Sequence, residues 1–344
     1  MNILITGAFG NIGRLVLAQA LRRGHAVSVL EMDSKRNRKA ARKWGKRARA
    51  VFLCDIRDAA AVGRAVAGQD VVIHMAGILP PASEARPDLC RAVNVGGTEN
   101  LIAALRAAGR GVSLVFVSSV SVMGRTQDRT PPLCVSDAVN PENTYARTKA
   151  EAEAAVSRSG LRHCILRLAA VMPTSIFYSN LLSMFVEAFA MPLDLRCEIV
   201  VDVDAAAACV HAAEGLPGDG ALTGKTFFIG GGGGKGCQMR AREMYRGIFG
   251  SVGVPVPRED LFVDGRAGYP LDWYDTEEAE KVLRFQDHTF EDFQGILGRQ
   301  LRPLRPLIRL LRPLIVRYIA RKSPLWKPGR PDAEAVHAAG EESL

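Results

Sequence analysis

Along the first half of the chain, apolar residues gather in short runs rich in Val and Ile, separated by stretches where they recur at helical spacing. The runs lie near Asn2 to Thr6, Ala26 to Glu31, Ala50 to Leu53, Val71 to His74, Val112 to Ser118 and Arg162 to Leu168. A strand buried on both faces reads as an unbroken apolar run, and its alternation with helices predicts a parallel sheet covered on both sides. Six such strands in βα order predict an α/β fold, a Rossmann-type doubly wound parallel sheet.

Beyond Pro173 the regularity is lost. An apolar helix is expected around Asn180 to Ala190, a short apolar run at Glu198 to Val203 and an alanine-rich helix at Ala205 to Glu214. A strand is expected at Thr226 to Ile229, running into the glycines 230–234, and helices at Met239 to Phe249 and Thr276 to Phe285. Residues 1–171 therefore read as the wound sheet. Residues 172–298 read as a small discontinuous α/β lobe with segments returning to the sheet, and 299–344 as a tail.

Composition narrows the class. With 344 residues, 48% hydrophobic and 24% charged, the chain can bury a sizeable core, which excludes wholesale disorder and collagen-like repeats. The net charge of +9 is local: residues 1–298 carry 35 basic and 32 acidic side chains, 299–330 carry ten basic and none acidic, and 331–344 carry four acids. Seven cysteines without a C-x-x-C pair argue against a disulfide framework or a cysteine metal site, so no metal and a reducing, cytoplasmic compartment are expected. The first residues lack the charged and long apolar regions of a secretory leader. The longest charge-free stretch, Leu168 to Val186, holds Pro173 and several hydroxyl side chains, so no membrane span is expected.

The candidate chemistry begins at Thr6-Gly7-Ala8-Phe9-Gly10-Asn11-Ile12-Gly13, where a strand turns into the amphipathic run Arg14 to Arg23. Glycines allow a tight turn and close backbone approach, and the free N–H groups of a helix start attract a pyrophosphate. The spacing G-x-x-G-x-x-G differs from the commonest dinucleotide fingerprint, and an ordinary glycine turn is the alternative. Glu31 ends the second strand 18 residues after Gly13, placed to accept a ribose 2′-hydroxyl and so to favour NAD. Lys35, Arg36 and Arg38 offer instead a 2′-phosphate site for NADP, or a solvated helix face.

Further along come Asp55, His74-Met75-Ala76-Gly77, Asn94, Ser118-Ser119 and Tyr145-Ala-Arg-Thr-Lys149 at the start of a helix. In this order the set resembles the extended short-chain dehydrogenase/reductases, the group of NAD-dependent sugar epimerases, dehydratases and 3β-hydroxysteroid dehydrogenases. The resemblance covers about residues 1–290. It implies a nicotinamide cofactor on Gly7, Gly10, Asn11, Ile12, Gly13 and Glu31, with Asp55 and Ile56 flanking the adenine. Ala76 and Gly77 would line the ribose and phosphates, and Asn94 would support the nicotinamide side. His74 is expected to be a buried histidine satisfied by backbone. The family likeness also implies a homodimer.

Moving a hydride to or from a carbinol carbon requires a proton to join or leave its oxygen, and Tyr145 can carry it. A free tyrosine titrates near about 10, so working at neutral pH asks for roughly three units, about 4 kcal/mol. Lys149 lies four residues on, on the same helical face, where its ammonium would favour the phenolate. By resemblance Lys149 also holds the nicotinamide ribose. Ser119 is expected to donate a hydrogen bond to the substrate oxygen, with Ser118 as its close rival.

Family members that bind sugar nucleotides have a tyrosine where this chain has Met123 and an arginine where it has Glu198, whose charge would repel a pyrophosphate. Asn180-Leu181-Leu182 matches the family's uridine-contact segment. Ile78, Leu79, Met172, Ile176, Phe177, Leu181, Met184, Phe185 and Phe189 suggest an apolar, lipid- or steroid-like substrate, although several at helical spacing also read as core. The expected function is an NAD(P)-dependent oxidoreductase interconverting a secondary alcohol and a ketone. The alternatives are a nucleotide-sugar epimerase or dehydratase and a non-catalytic dinucleotide sensor.

In the tail, Arg-Pro-Leu units interleave arginines with Leu304, Leu307, Leu311, Ile315 and Ile319, and Trp326 follows. This basic amphipathic pattern predicts a segment lying on an anionic membrane surface through residues 299–330, peripheral on its inner face. The alternatives are packing on protein and, disfavoured by the apolar content, nucleic-acid binding. Pro303, Pro306 and Pro313 speak against a regular helix there.

Overall fold

The computed structural model describes residues 1–109, 111–175, 188–218, 220–264 and 269–328. Strands β1 (Asn2–Thr6), β2 (Ala26–Glu31), β3 (Ala50–Leu53), β4 (Val71–His74), β5 (Ser113–Ser119) and β6 (His163–Leu168) fall within one residue of the apolar runs. Helices α1 (Gly13–Arg22), α2 (Lys35–Trp44), α3 (Ala59–Val66), α4 (Gly97–Ala107) and α5 (Thr144–Ser157) alternate with them.

Successive side chains of a strand point to opposite faces. Ile3, Ile5, Val27, Val29, Val71 and Ile73 accordingly join one core layer, and Leu4, Leu30, Val72, Leu114 and Phe116 the other. Both layers are apolar because helices cover both, as the unbroken runs require.

The sheet has a seventh parallel strand. β7 (Ala170–Met172), β8 (Arg196–Val201), β9 (Lys225–Ile229) and β10 (Gln238–Arg240) follow β6, and β9 returns to pair with it from Cys164↔Lys225 to Leu168↔Ile229. The order is β3-β2-β1-β4-β5-β6-β9, with a separate three-stranded sheet β10-β8-β7. The direction of winding reverses between β1 and β4, which opens a crevice at the carboxyl ends of these strands.

The run expected to extend to Val203 ends at Val201, because Asp202 opens helix α6 (Asp202–Gly215). Ala205, Ala206, Ala208, Ala212 and Ala213 are fully buried in α6, small enough for close packing on α1. Glu214 then receives Arg23 and His25 at 2.7 Å each. Of the helix expected over Asn180 to Ala190, residues 176–187 lie outside the described residues, and Ala188–Ala190 form a single 3₁₀ turn.

Helices α7 (Ala241–Val252), α8 (Glu277–Leu283), α9 (Phe290–Leu301) and α10 (Arg305–Ala320) complete the described chain. The prolines of the tail do not break it, contrary to expectation. Pro303 sits in a 3₁₀ turn and Pro306 in the first helical turn, where no N–H is needed, so only Pro313 forfeits an interior hydrogen bond. Ile319 is buried and Ile315 half-buried against the body, so neither points outward as the sequence pattern suggested. Trp326 is half-buried with Arg321 over its ring at 5.3 Å. No helix among the described residues is long and apolar enough to cross a membrane.

Candidate active site

The glycine turn forms the floor of the crevice. Gly7 has φ +75, and a Cβ there would come within 2.9 Å of the Ala76 nitrogen. A Cβ on Gly13 would overlap the Gly7 carbonyl, so both positions exclude a side chain. Ile12, at the helix start, has αR backbone angles and no side-chain cap. The Arg14 N–H donates to the Gly10 carbonyl at 3.1 Å and the Leu15 N–H to the Ile12 carbonyl at 2.8 Å, so the backbone that meets the cleft at the helix start is that of Asn11, Ile12 and Gly13, the arrangement that receives an anion. Gly7, Gly10, Asn11, Ile12 and Gly13 all line this cleft, of about 470 Å³.

Its second half, about 580 Å³, shares Gly7, Gly10, Met75, Gly77 and Leu79 and extends past Glu31, Arg36, Asp55, Ile56 and Ala76. Glu31 is buried and already engaged. One carboxylate oxygen accepts from the Phe9 N–H at 2.5 Å and the other from Asn37 Nδ2 at 3.1 Å, so its first task is to tie the turn to β2. Burial pushes its carboxyl up. Asp55 pairs bidentately with Arg57 and is held below its usual range, while Arg38 is occupied by Asp33.

Asn94 lies in a π-helical turn, Ala92–Gly96, and is spent on protein contacts. Its Oδ1 accepts from the Ile78 N–H at 2.7 Å, and its Nδ2 donates to the Ile78 carbonyl and to Thr148 Oγ1, both at 3.1 Å. It clamps the loop after β4 to α5. His74 is buried, as expected, but hydroxyls rather than backbone satisfy it. Thr98 donates to the Asn94 carbonyl at 2.6 Å, so His74 Nε2 must donate to Thr98 at 3.0 Å and Nδ1 accept from Thr6 at 2.7 Å. Thr6 Oγ1 in turn accepts from the Met75 and Ala76 N–H groups. Burial and the nearby Lys149 hold the imidazole neutral, at about 3.

Ser119, Tyr145 and Lys149 converge on the same cleft. Ser119 ends β5, and its Oγ accepts from the Ser121 N–H at 3.2 Å, which leaves its proton for the Tyr145 phenol. Ser118 lines the cleft too, but its Oγ is buried with no hydrogen-bond partner among the described residues. Lys149 Nζ donates to the Val117 carbonyl at 2.6 Å and lies 4.2 Å from the Phe116 ring centroid. Burial pushes the amine down to about 8.

The expected acidification of Tyr145 by Lys149 is not found. Burial pushes the phenol up to about 12, and the hydrogen bond from Ser119 is the only force drawing it down.

Other residues at the site were not singled out from the sequence. Asn143 caps α5 by accepting from the Ala146 N–H at 2.8 Å, and Glu84 accepts from the Thr144 and Tyr145 N–H groups at 3.1 and 3.2 Å. A carboxylate at a helix start is favoured by the dipole, so together they fix where Tyr145 begins its turn. The S/T/D/N-before-helix rule points to Asn143, but nothing local marks Glu84. Asp202 enters the cleft wall from α6, bonded to Thr174 at 2.7 Å and paired with Arg14 at 3.7 Å.

Glu198 does not face the cleft. It is fully buried, accepting from Gly232 N, Tyr274 N and Gln238 Nε2 at 2.9 Å each, and burial pushes it up to about 7. It therefore repels no substrate phosphate. Met123 is buried against Arg167, and Phe189 is core, its ring 5.0 Å from that of Phe262. Met172 is buried, whereas Ile78 and Leu79 line the cleft. Ile176, Phe177, Leu181, Met184 and Phe185, and the segment Asn180-Leu181-Leu182, lie outside the described residues.

The chain is 37% identical over 155 residues to a dTDP-4-dehydrorhamnose reductase of Mycolicibacterium smegmatis, covering 45% of this chain and 41% of that protein. It is 29% identical over 284 residues to a 2-alkyl-3-oxoalkanoate reductase of Stenotrophomonas maltophilia, covering 79% and 81%. The chain spans less than two thirds of the length of the first curated relatives that it matches. Its fold matches a Stenotrophomonas UDP-glucose-4-epimerase solved with NAD and formylated UDP-arabinopyranose, at TM-score 0.71 and 22% identity over 89% of this chain and 99% of that one. The profile of the NAD dependent epimerase/dehydratase family matches residues 3–214, more than half of the sequence, and the chain belongs to that family.

Proposed function

We propose that the chain is an NAD(P)-dependent oxidoreductase interconverting a secondary alcohol and a ketone on a largely apolar substrate. The observation that carries this reading is the meeting of Ser119, Tyr145 and Lys149 beside a glycine cradle that excludes side chains. The uncapped amides at Asn11, Ile12 and Gly13 fit a pyrophosphate, Lys149 fits the nicotinamide ribose, and Asp55, Ile56, Ala76 and Gly77 fit the adenosine half. A nicotinamide dinucleotide held there supplies the hydride donor or acceptor. The Glu31 carboxylate stands against a 2′-phosphate, so NAD is favoured over NADP.

Tyr145 carries the proton. Its burial keeps the phenol protonated at neutral pH, the form that donates to a ketone oxygen as negative charge develops there. Ser119 donates to the same oxygen, and Lys149 stabilises the phenolate left behind. A sensor that only binds the dinucleotide has no use for this set.

Leu79, Val117, Leu168, Ala169, Val171 and Pro173 support an apolar substrate. So does the likeness to the 2-alkyl-3-oxoalkanoate reductase along most of both chains. The second reading, a nucleotide-sugar epimerase, is favoured by the shared fold of the sugar-nucleotide complex. The assay follows nicotinamide absorbance with 3-oxoacids, hydroxysteroids and UDP-sugars, for the wild type and Tyr145→Phe. Turnover of the variant is expected to fall by about 10²- to 10⁴-fold with dinucleotide affinity nearly unchanged. Undiminished turnover refutes the assignment, and sugar isomerisation without net absorbance change selects the epimerase.

A further inference from the structure

Helix α10 has two apolar faces, and the protein body covers one. Val316, Ile319 and Ala320 are buried against it. Leu307, Leu310, Leu311, Leu314 and Tyr318 recur three and four residues apart on the opposite side, all exposed, Leu310 at 76% and Leu314 at 65%. Upstream of the buried residues, Arg305, Arg309 and Arg312 continue the packing side in exposed positions, so charge lies opposite the leucines.

At the start of this helix is a shallow groove of about 790 Å³ floored by glycines of α7 and α9 and edged by Arg246, Arg299, Arg302 and Arg305. Glu291 is the one acid in its lining, and none of the four arginines has an ion pair among the described residues.

We propose that α10 and the adjoining arginine groove form a docking surface for an anionic phospholipid bilayer. Exposed leucines seek an apolar layer and the arginines seek phosphates, and an anionic membrane offers both a few ångströms apart. A second copy seated on the leucine row would cover the leucines but leave Arg246, Arg299, Arg302 and Arg305 of the groove without an anion. Nucleic acid would answer the arginines but leave the leucine row in water. The surface is independent of the cleft, so its test does not depend on the proposed reaction.

The experiment is flotation of the full chain with phosphatidylcholine vesicles and with vesicles that also contain phosphatidylglycerol. Binding is expected only to the anionic vesicles, weakening as salt is raised. The double variant Leu310→Asp/Leu314→Asp is expected to lose at least about tenfold in bound fraction. Its melting temperature and dinucleotide binding should stay unchanged, because both positions are exposed. Arg305→Gln/Arg309→Gln/Arg312→Gln should reduce binding while preserving the fold. Failure of the full chain to float with anionic vesicles overturns the proposal, as does equal flotation of the leucine variant. So does a leucine variant that turns a dimer into a monomer in the absence of vesicle binding.

Discussion

Lys149 is expected to weaken the fold that holds it. Its amine is buried between the Val117 carbonyl and the Phe116 ring, with its pKa pushed down from 10.5 to about 8. That shift corresponds to roughly 3 kcal/mol of disfavoured charge. The sign follows from proton counting: between the two values the unfolded chain holds a proton that the folded chain lacks, so stability rises with pH through this window. Below about pH 8 the penalty is complete.

Lys149→Met removes the charge and keeps most of the volume, at the loss of one hydrogen bond to Val117, about 1 kcal/mol. The dinucleotide-free variant should therefore be about 2 kcal/mol more stable than the wild type near pH 7 and about equal to it near pH 9.5. Turnover should meanwhile collapse. Urea unfolding followed by circular dichroism at the two pH values measures the difference. A variant less stable at neutral pH, or a difference that does not change with pH, would show that the buried amine is not under strain and that the argument fails.

Two further substitutions test the supports of the site. Glu31→Ala strips the Phe9 N–H of its acceptor, and loss of a buried hydrogen bond to a charged group costs about 1.5–3 kcal/mol, so both melting temperature and NAD affinity should fall. Unchanged affinity in a calorimetric titration would separate Glu31 from the turn. Glu153 makes a bidentate, buried pair with Arg167, and Glu153→Ala should destabilise by about 3 kcal/mol because it strands the guanidinium. Glu153 also raises the Lys149 pKa, so the same variant should shift the pH–activity profile toward lower pH; an unmoved profile would disconnect the two.

Six strands were legible almost to the residue, because strands covered on both faces must be apolar throughout and glycine must stand where backbone approaches backbone. The cleft residues carried by that frame, from Gly7 through Asp55 to Ser119, Tyr145 and Lys149, were singled out by their resemblance, in order, to the short-chain dehydrogenase/reductases. Local pattern places each at a strand end or helix start, and parallel winding brings those ends together.

What only the tertiary structure decided depends on neighbours distant in sequence. β9 returns to pair with β6 after the chain has laid down β7 and β8 of the second sheet, and no local pattern announces its partner. Glu198 turned inward because the glycine loop and Tyr274 offered N–H donors to a carboxylate that its own segment could not satisfy. The upward push of burial on the Tyr145 phenol was not legible, because spacing tells which groups share a helical face, while a pKa depends on desolvation and on where each proton is directed. Periodicity and glycine geometry are properties of the chain itself; burial, partner choice and charge state belong to the assembled fold.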